Sequence, residues 1–261
     1  MSTVLAVILL ALLCAGAMAL AWRVVIATGN SGWTDAFWSL TVGAVGVIAA
    51  LGPIEGVENT PRNWLVAAIV AVWSLRLGLH IVRRTLRGKD DPRYAELKRG
   101  WGARYKPQLF IFLQIQAVVA LVLAIAVMAV AHNPAPLGPG DALGVLIAAL
   151  AIGGEAVADA QLTRFARNPA NAGKVCDIGL WAWSRHPNYF FEFAYWLALV
   201  PIGSGHAWGW VAIAAPVMMF VLLRYVSGVP PLEAHMLRSR GAAFAAYQQL
   251  VPAFFPRPPR Q

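Results

Sequence analysis

Charge is what this chain has least of. Only 13% of its 261 residues are charged, 12 acidic against 21 basic, while 59% are hydrophobic. Soluble domains carry roughly 25% charged residues, so the composition argues against one. Cysteine is nearly absent as well. Cys14 lies in an apolar run and Cys176 in a basic loop, with no His or Cys at ligand spacing, which speaks against a disulfide framework and a zinc site. No GxGxxG or Walker sequence occurs, and the pair Gly153-Gly154 sits in an apolar run without a phosphate-loop context. The two commonest soluble nucleotide folds are thereby set aside. The net charge of +9 is carried between apolar runs rather than on one face of a soluble domain. No nucleic-acid partner is expected; anionic membrane lipids or an anionic cofactor fit better.

What the chain has is length of apolar run. A helix needs about 20 apolar residues to cross a hydrocarbon core. That test picks out Thr3 to Ala21, Ala36 to Ile54, Trp64 to Val82, Leu109 to Ala131, Ala142 to Leu162, Tyr189 to Gly203 and Trp208 to Val226, the sixth being short. The first lacks a preceding basic stretch and is read as a retained helix rather than a signal peptide. Trp22, Trp33, Trp64, Trp101, Trp208 and Trp210 stand near the ends of these runs, where amphipathic rings mark the membrane interface. Nine basic residues fall between Arg83 and Lys106, four between Arg164 and Arg185, and five from Arg224 onward, with none near Asn133 or Ser204. The positive-inside rule then places the N-terminus outside and the C-terminus in the cytosol. No internal repeat is visible, and PAFFPRPPR reads as a short tail. The expectation is an all-α integral membrane bundle of about seven spanning helices, one transmembrane domain over residues 1–261.

Ionisable groups inside such helices cost about 2.5 to 3.5 kcal/mol each and normally face a bundle interior, a cavity or a partner. Trp73, Arg76, His80 and Arg83 share one face of the third run, Glu155 and Asp159 one face of the fifth, and Asn188, Glu192 and Tyr195 one face of the sixth, by helical spacing. On the predicted topology all three sets lie toward the cytosol. Structural ion pairing among them is the alternative to a functional site.

The densest signal is the segment RFARNPANAGKVCDIGLWAWSRHPNYFFEFAYW between the fifth and sixth runs. Arg164, Arg167, Lys174 and Arg185 supply cations for phosphates, Trp181, Trp183 and Tyr189 supply stacking faces, and Asp177 and Asn188 can read amide or ribose hydroxyl groups. The competing reading is a basic juxtamembrane loop held by lipid phosphates. Pro187 fits the first turn of the sixth helix. Asn188 and Tyr189 then sit at the helix's positive end, where a phosphate would be favoured. His186 beside the proline is either a hydrogen-bonded structural residue or part of the site.

GLWAWSRHPNYFFE, from Gly179 to Glu192, resembles the signature of the steroid 5-alpha-reductase and sterol reductase superfamily, in particular a bacterial branch of membrane proteins sharing the reductase C-terminal domain. EAVADAQ (Glu155 to Gln161), WSLRLGLHIVRR (Trp73 to Arg84), DPRY (Asp91 to Tyr94), SGVPPLEAHM and the AFFP ending are similar too, so the likeness spans about residues 35–256. It implies an NADPH-dependent oxidoreductase of a bacterial inner membrane, acting on the carbon-carbon double bond of a lipophilic enone or polyene. Hydride would go to the β carbon while an acid polarises the carbonyl. By position in the matched segments, Asp159, Arg167, Lys174, Asp177, Trp181, Arg185, His186, Asn188, Tyr189 and Glu192 would hold NADPH, with Arg224, Glu233 and His235 closing the site.

The catalytic end departs from the animal enzymes, which carry adjacent Gln and Glu and a later Tyr. Here Ile54 precedes Glu55, and His80 is followed by Ile81. Glu55 and His80 are the candidate carbonyl-polarising acids, with Asp35 a further one; Glu55 as a solvated loop residue is the alternative. Related membrane methyltransferases of the isoprenylcysteine and phospholipid type share the Arg-His-Pro loop and use S-adenosylmethionine, and a carrier or assembly protein would use the buried charges for permeation or packing. Asn188 directly after RHP, Glu192 and the EAVAD run favour the reductase.

Overall fold

The structure, a computed structural model, describes residues 1–88 and 92–258. Lys89, Asp90 and Asp91, the first residue of DPRY, lie outside the described residues, as do Pro259, Arg260 and Gln261. Among the described residues the chain forms helices and turns and no β-strand. The helices are α1 (Thr3–Thr28), α2 (Gly32–Leu51), α3 (Pro61–Arg87), α4 (Pro92–Trp101), α5 (Tyr105–Ala131), α6 (Pro139–Arg167), α7 (Pro187–Leu197), α8 (Leu199–Gly203), α9 (Ala214–Val221), α10 (Val229–Arg240) and α11 (Ala242–Leu250). Six helical stretches among the described residues are long and apolar enough to cross a membrane: Thr3–Thr28, Gly32–Leu51, Pro61–Arg87, Arg93–Ala131, Pro139–Arg167 and Gly209–Arg240. The protein is an all-α, multi-pass integral membrane protein.

The expected segment from Tyr189 to Gly203 differs. It is divided between α7 and α8, neither of spanning length. Pro201 gives the reason: a proline ring clashes with the carbonyl four residues earlier, here Leu197, where α7 ends.

The helices sort into two compact units. The first comprises Met1–Val145 and Leu199–Ala215, the second Leu146–Ala198 and Pro216–Gln261. In the first, α2 and α3 approach closely because small residues line their contact. A Cβ at Gly43 would overlap the Ser74 side chain, and one at Gly78 would press into Leu40. Ser74 Oγ donates across the contact to the Ser39 carbonyl at 2.9 Å. With lipid as apolar as the helix surfaces, such close packing and hydrogen bonds hold spanning helices together. On α1, Trp22 Nε1 donates to the Lys106 carbonyl at 2.9 Å, and its ring meets Phe110 edge-on.

One buried cation organises the turn before α6. Arg62, in the first turn of α3, donates through Nε and Nη2 to the Asp141 carboxylate at 2.7 and 2.8 Å. Nη1 donates to the carbonyls of Asn133 and Ala135, and Nη2 also to that of Pro136. All five N–H groups of a guanidinium are thus spent. Asp141 in turn accepts the Gly138 N–H at 2.8 Å. Removing one partner of such a pair strands the other charge, at a cost of about 3 to 5 kcal/mol. Arg62→Ala should lower the thermal midpoint of purified protein by an amount matching that loss. Arg62→Lys should recover little, because an ammonium cannot reach three carbonyls and a carboxylate together.

Candidate functional site

The segment from Arg164 to Tyr195 lies wholly in the second unit and is built from local caps and long-range ties. Asn168 Oδ1 accepts the Ala170 N–H at 3.0 Å and starts a short 3-10 turn, Pro169–Asn171. Asn171 Nδ2 ties that turn back to the Phe165 carbonyl at 3.1 Å. At Gly179 the backbone turns left-handed with φ of 58°, and the position lies so close to Gln161 that a Cβ would collide with its amide. Glycine suits both demands. Gln161 Oε1 then accepts the Leu180 N–H at 2.9 Å. Trp181 is buried; its Nε1 donates to the Ala158 carbonyl at 3.0 Å, and its own carbonyl accepts the Tyr247 hydroxyl at 2.5 Å. Trp181 is therefore an anchor, whereas Trp183 is exposed.

At the following Arg-His-Pro sequence the chain makes a charged hub. Arg185 Nε and Nη2 grip the Glu233 carboxylate of α10 at 2.7 and 3.1 Å. Arg185 Nη1 donates to the carbonyls of Gln248 and Val251 at 3.1 and 2.5 Å, and its backbone N–H donates to Pro252 at 2.9 Å. The same carboxylate accepts from His186 Nε2 at 3.0 Å and Gln248 Nε2 at 2.7 Å. Ser184 Oγ donates to the Phe254 carbonyl at 2.9 Å, and the Arg257 N–H donates to the Trp183 carbonyl at 2.9 Å. The tail from Val251 to Arg257 is thus stitched along residues 183–185. Phe254 of the tail packs edge-on against Phe193 and Phe220, with centroids 5.9 and 5.3 Å apart.

His186 occupies the N-cap of α7, and Pro187 is the first helical residue. The imidazole is buried, and its Nδ1 has no hydrogen-bond partner among the described residues. Burial pushes its pKa below the ordinary histidine value; Glu233 opposes that shift, and the charges of Arg185 and Arg224 add to it. Tyr189 stacks on the ring, 5.4 Å between centroids and 11° between planes. Burial also raises the pKa of the Tyr247 phenol and the Cys176 thiol.

The cofactor candidates therefore fall into groups. Arg185, His186 and Glu233 meet directly, with Arg224 close enough to act on His186 electrostatically and Asp177 on Tyr247. Asn188 and Tyr189 are half-buried in the first turn of α7, and Glu192, one turn on, is buried and accepts from Trp196 Nε1 at 3.0 Å. Arg167, Lys174 and Asp177 are exposed; Asp159, Arg224 and His235 are half-buried. Sequence reasoning missed Gln248, Ser184 and Trp196 as members of this network. Gln161 stood in the matched EAVADAQ run without a role, and that was the available signal.

The three candidate acids belong to the first unit and do not converge. Asp35 lies in the first turn of α2, where its carboxylate accepts from Arg93 Nη2 at 2.5 Å and from the Tyr94 hydroxyl at 2.8 Å. Glu55 lies past the other end of α2, in an exposed turn where its N–H donates to the Met1 carbonyl at 2.9 Å. At 1.5 Å per residue the two ends of that helix are roughly 30 Å apart. His80 is half-buried on α3, near the end of that helix where Arg84 approaches Asp35 at 3.9 Å.

A family described as a protein of unknown function, DUF1295, matches residues 21–251. The chain belongs to the DUF1295 family. The match takes in Arg185, His186, Glu233, Tyr247 and Val251. A protein of the fission yeast Schizosaccharomyces pombe, "Uncharacterized protein C594.04c", is 24% identical over 263 residues, covering 90% of this chain and 75% of that protein. No solved structure matches the chain.

Because the folded state resists protonation of His186, the unfolded chain binds the proton first. Stability linked to this residue is therefore full above the ordinary histidine pKa of about 6.5 and is lost as pH falls through and below it. Thermal midpoints should drop from about pH 7 to about pH 5, and the slope should be shallower in His186→Gln. Glu233→Ala should cost about 3 to 5 kcal/mol at neutral pH, since it strands the largely buried Arg185; a midpoint equal to wild type would reject the hub as a stabilising element.

Proposed function

We propose that this DUF1295 protein is a membrane reductase that uses NADPH to saturate a conjugated carbon-carbon double bond in a lipophilic substrate, a steroid-like or other enone, in a bacterial inner membrane with the C-terminus in the cytosol. The observation that carries this reading is the largely buried Arg185–Glu233–His186 hub at the start of α7, in the same unit as the exposed cations Arg164, Arg167 and Lys174. The likeness of Gly179 to Glu192 to the sterol reductase signature supports it.

The residues present suit a dinucleotide. Exposed arginine and lysine side chains bind phosphates by charge-assisted hydrogen bonds, and an exposed indole such as Trp183 offers a stacking face. A buried ring nitrogen without a partner, Nδ1 of His186, is the kind of group a ligand satisfies. NADPH, when bound, supplies the hydride for the β carbon of the conjugated system. The protein's part is to hold and orient. Arg167 and Lys174 bind phosphate, Asn188 reads an amide or ribose hydroxyl, and Arg185 and Glu233 act as positioning residues because their polar atoms are spent on one another and on the tail. Of the candidate acids, Glu55 sits in an exposed turn and Asp35 is engaged by Arg93 and Tyr94.

A ligand that binds only the folded state raises the thermal midpoint by mass action. NADPH should stabilise the detergent-purified protein more than NADH, and S-adenosylmethionine should not stabilise it. The double variant Arg167→Ala, Lys174→Ala should weaken NADPH binding about tenfold or more while leaving the midpoint of the ligand-free protein unchanged. Stabilisation by S-adenosylmethionine alone would replace the reductase with a methyltransferase, and silence from every nucleotide would favour a carrier or assembly role.

A further inference from the structure

Glu233 fixes the chemistry of His186. The carboxylate is gripped by the Arg185 fork and takes a further hydrogen bond from Gln248. An ionised carboxylate accepts and cannot donate, so the 3.0 Å contact requires a proton on His186 Nε2. An imidazole with one proton, carried on Nε2, leaves Nδ1 as a bare acceptor. The charged groups facing the ring agree with a single proton: Arg185 and Arg224 disfavour a second, and Glu233, which would favour it, is already held by Arg185. Ser184 Oγ fixes the backbone by accepting the His186 N–H at 3.2 Å, and Tyr189 covers one face of the ring. Nδ1 is then a buried, oriented acceptor with no donor among the described residues.

We infer that His186 is a fixed recognition acceptor: Glu233 holds its Nε2–H, and its Nδ1 receives a hydrogen bond from a donor on the bound dinucleotide, either an N–H of the nicotinamide carboxamide or a ribose hydroxyl. This rests on the reductase reading. It assigns His186 neither acid nor base work, and it makes Glu233 the residue that sets the tautomer.

Two substitutions separate the ring nitrogens. The amide nitrogen of glutamine can stand in for Nε2, so His186→Gln should keep the Glu233 bond, keep the neutral-pH thermal midpoint within a few degrees of wild type, and bind NADPH about tenfold more weakly. The amide oxygen of asparagine can stand in for Nδ1, so His186→Asn should melt lower yet bind NADPH nearly as well as wild type. The reverse pattern, affinity spared in His186→Gln and lost in His186→Asn, would overturn the assignment. Selective 15N-histidine labelling of the wild-type protein reads the same point without any variant. His186 Nδ1 should report as unprotonated at neutral pH and shift toward a hydrogen-bonded value with NADPH; protonation of both nitrogens would overturn the proposal. The analogue whose carboxamide is replaced by acetyl locates the donor. If the carboxamide donates, the analogue binds wild type and His186→Gln equally; if a ribose hydroxyl donates, the tenfold difference persists. Wild-type protein that binds no NADPH sinks the reductase reading and this inference together, whereas binding that His186→Gln leaves unchanged sinks the inference alone.

Discussion

A guanidinium removed from water must find acceptors for all its N–H groups at once, and the second unit is arranged around that requirement at Arg185. Its acceptors come from Glu233 on α10, the Gln248 carbonyl on α11 and Val251 in the tail. α10 closes the spanning stretch Gly209–Arg240, whereas α11 and the tail have no apolar run of spanning length. The cation gathers them, and with them it fixes the turn that begins α7. The first unit meets the same requirement at Arg62, whose five donors close the turn ahead of α6. In each unit a helix start is set by one arginine and one acidic partner, with carbonyls taking up the remaining donors.

This construction separates residues that hold from residues that could receive. Trp181, Ser184, Arg185 and Glu233 have their polar atoms turned inward on one another or on the tail. Arg164, Arg167, Lys174 and Trp183, in the same segment, are exposed. The held side chains have little conformational freedom left to lose, whereas the exposed cations and the indole keep theirs.

The sequence made some of this legible and hid the rest for physical reasons. Long apolar runs declare themselves by length alone, so α1, α2, α3, α5 and α6 were all visible. Pro187 announced the start of α7 because its lost N–H is harmless only there. The break between α7 and α8 needed the rule that a proline opposes the carbonyl four residues back, applied at Pro201 to an otherwise continuous apolar stretch. Partnership was the harder matter. Arg185 looked like a phosphate ligand because a basic residue in a basic loop carries no mark of its counter-ion, and Glu233 stands 48 residues away. Glu55 led the carboxylate candidates and Asp35 was a further one; their different fates depend on Arg93 and Tyr94, which sequence spacing could not bring to Asp35. Helical periodicity tells which residues share a face, and it is silent on what the face meets.

That 48-residue separation has a bearing on biogenesis. The ribosome delivers Arg185 well before its carboxylate exists, and α7, too short to span, gives the cation no transmembrane anchor while it waits. Residues 209–232, most of the last spanning stretch, must be made before Glu233 is. The Arg-His-Pro turn is consequently among the last parts of the molecule to acquire its native shape, and a quality-control system that surveys unpaired charge near the bilayer would find a nascent chain of this protein conspicuous until α10 is complete.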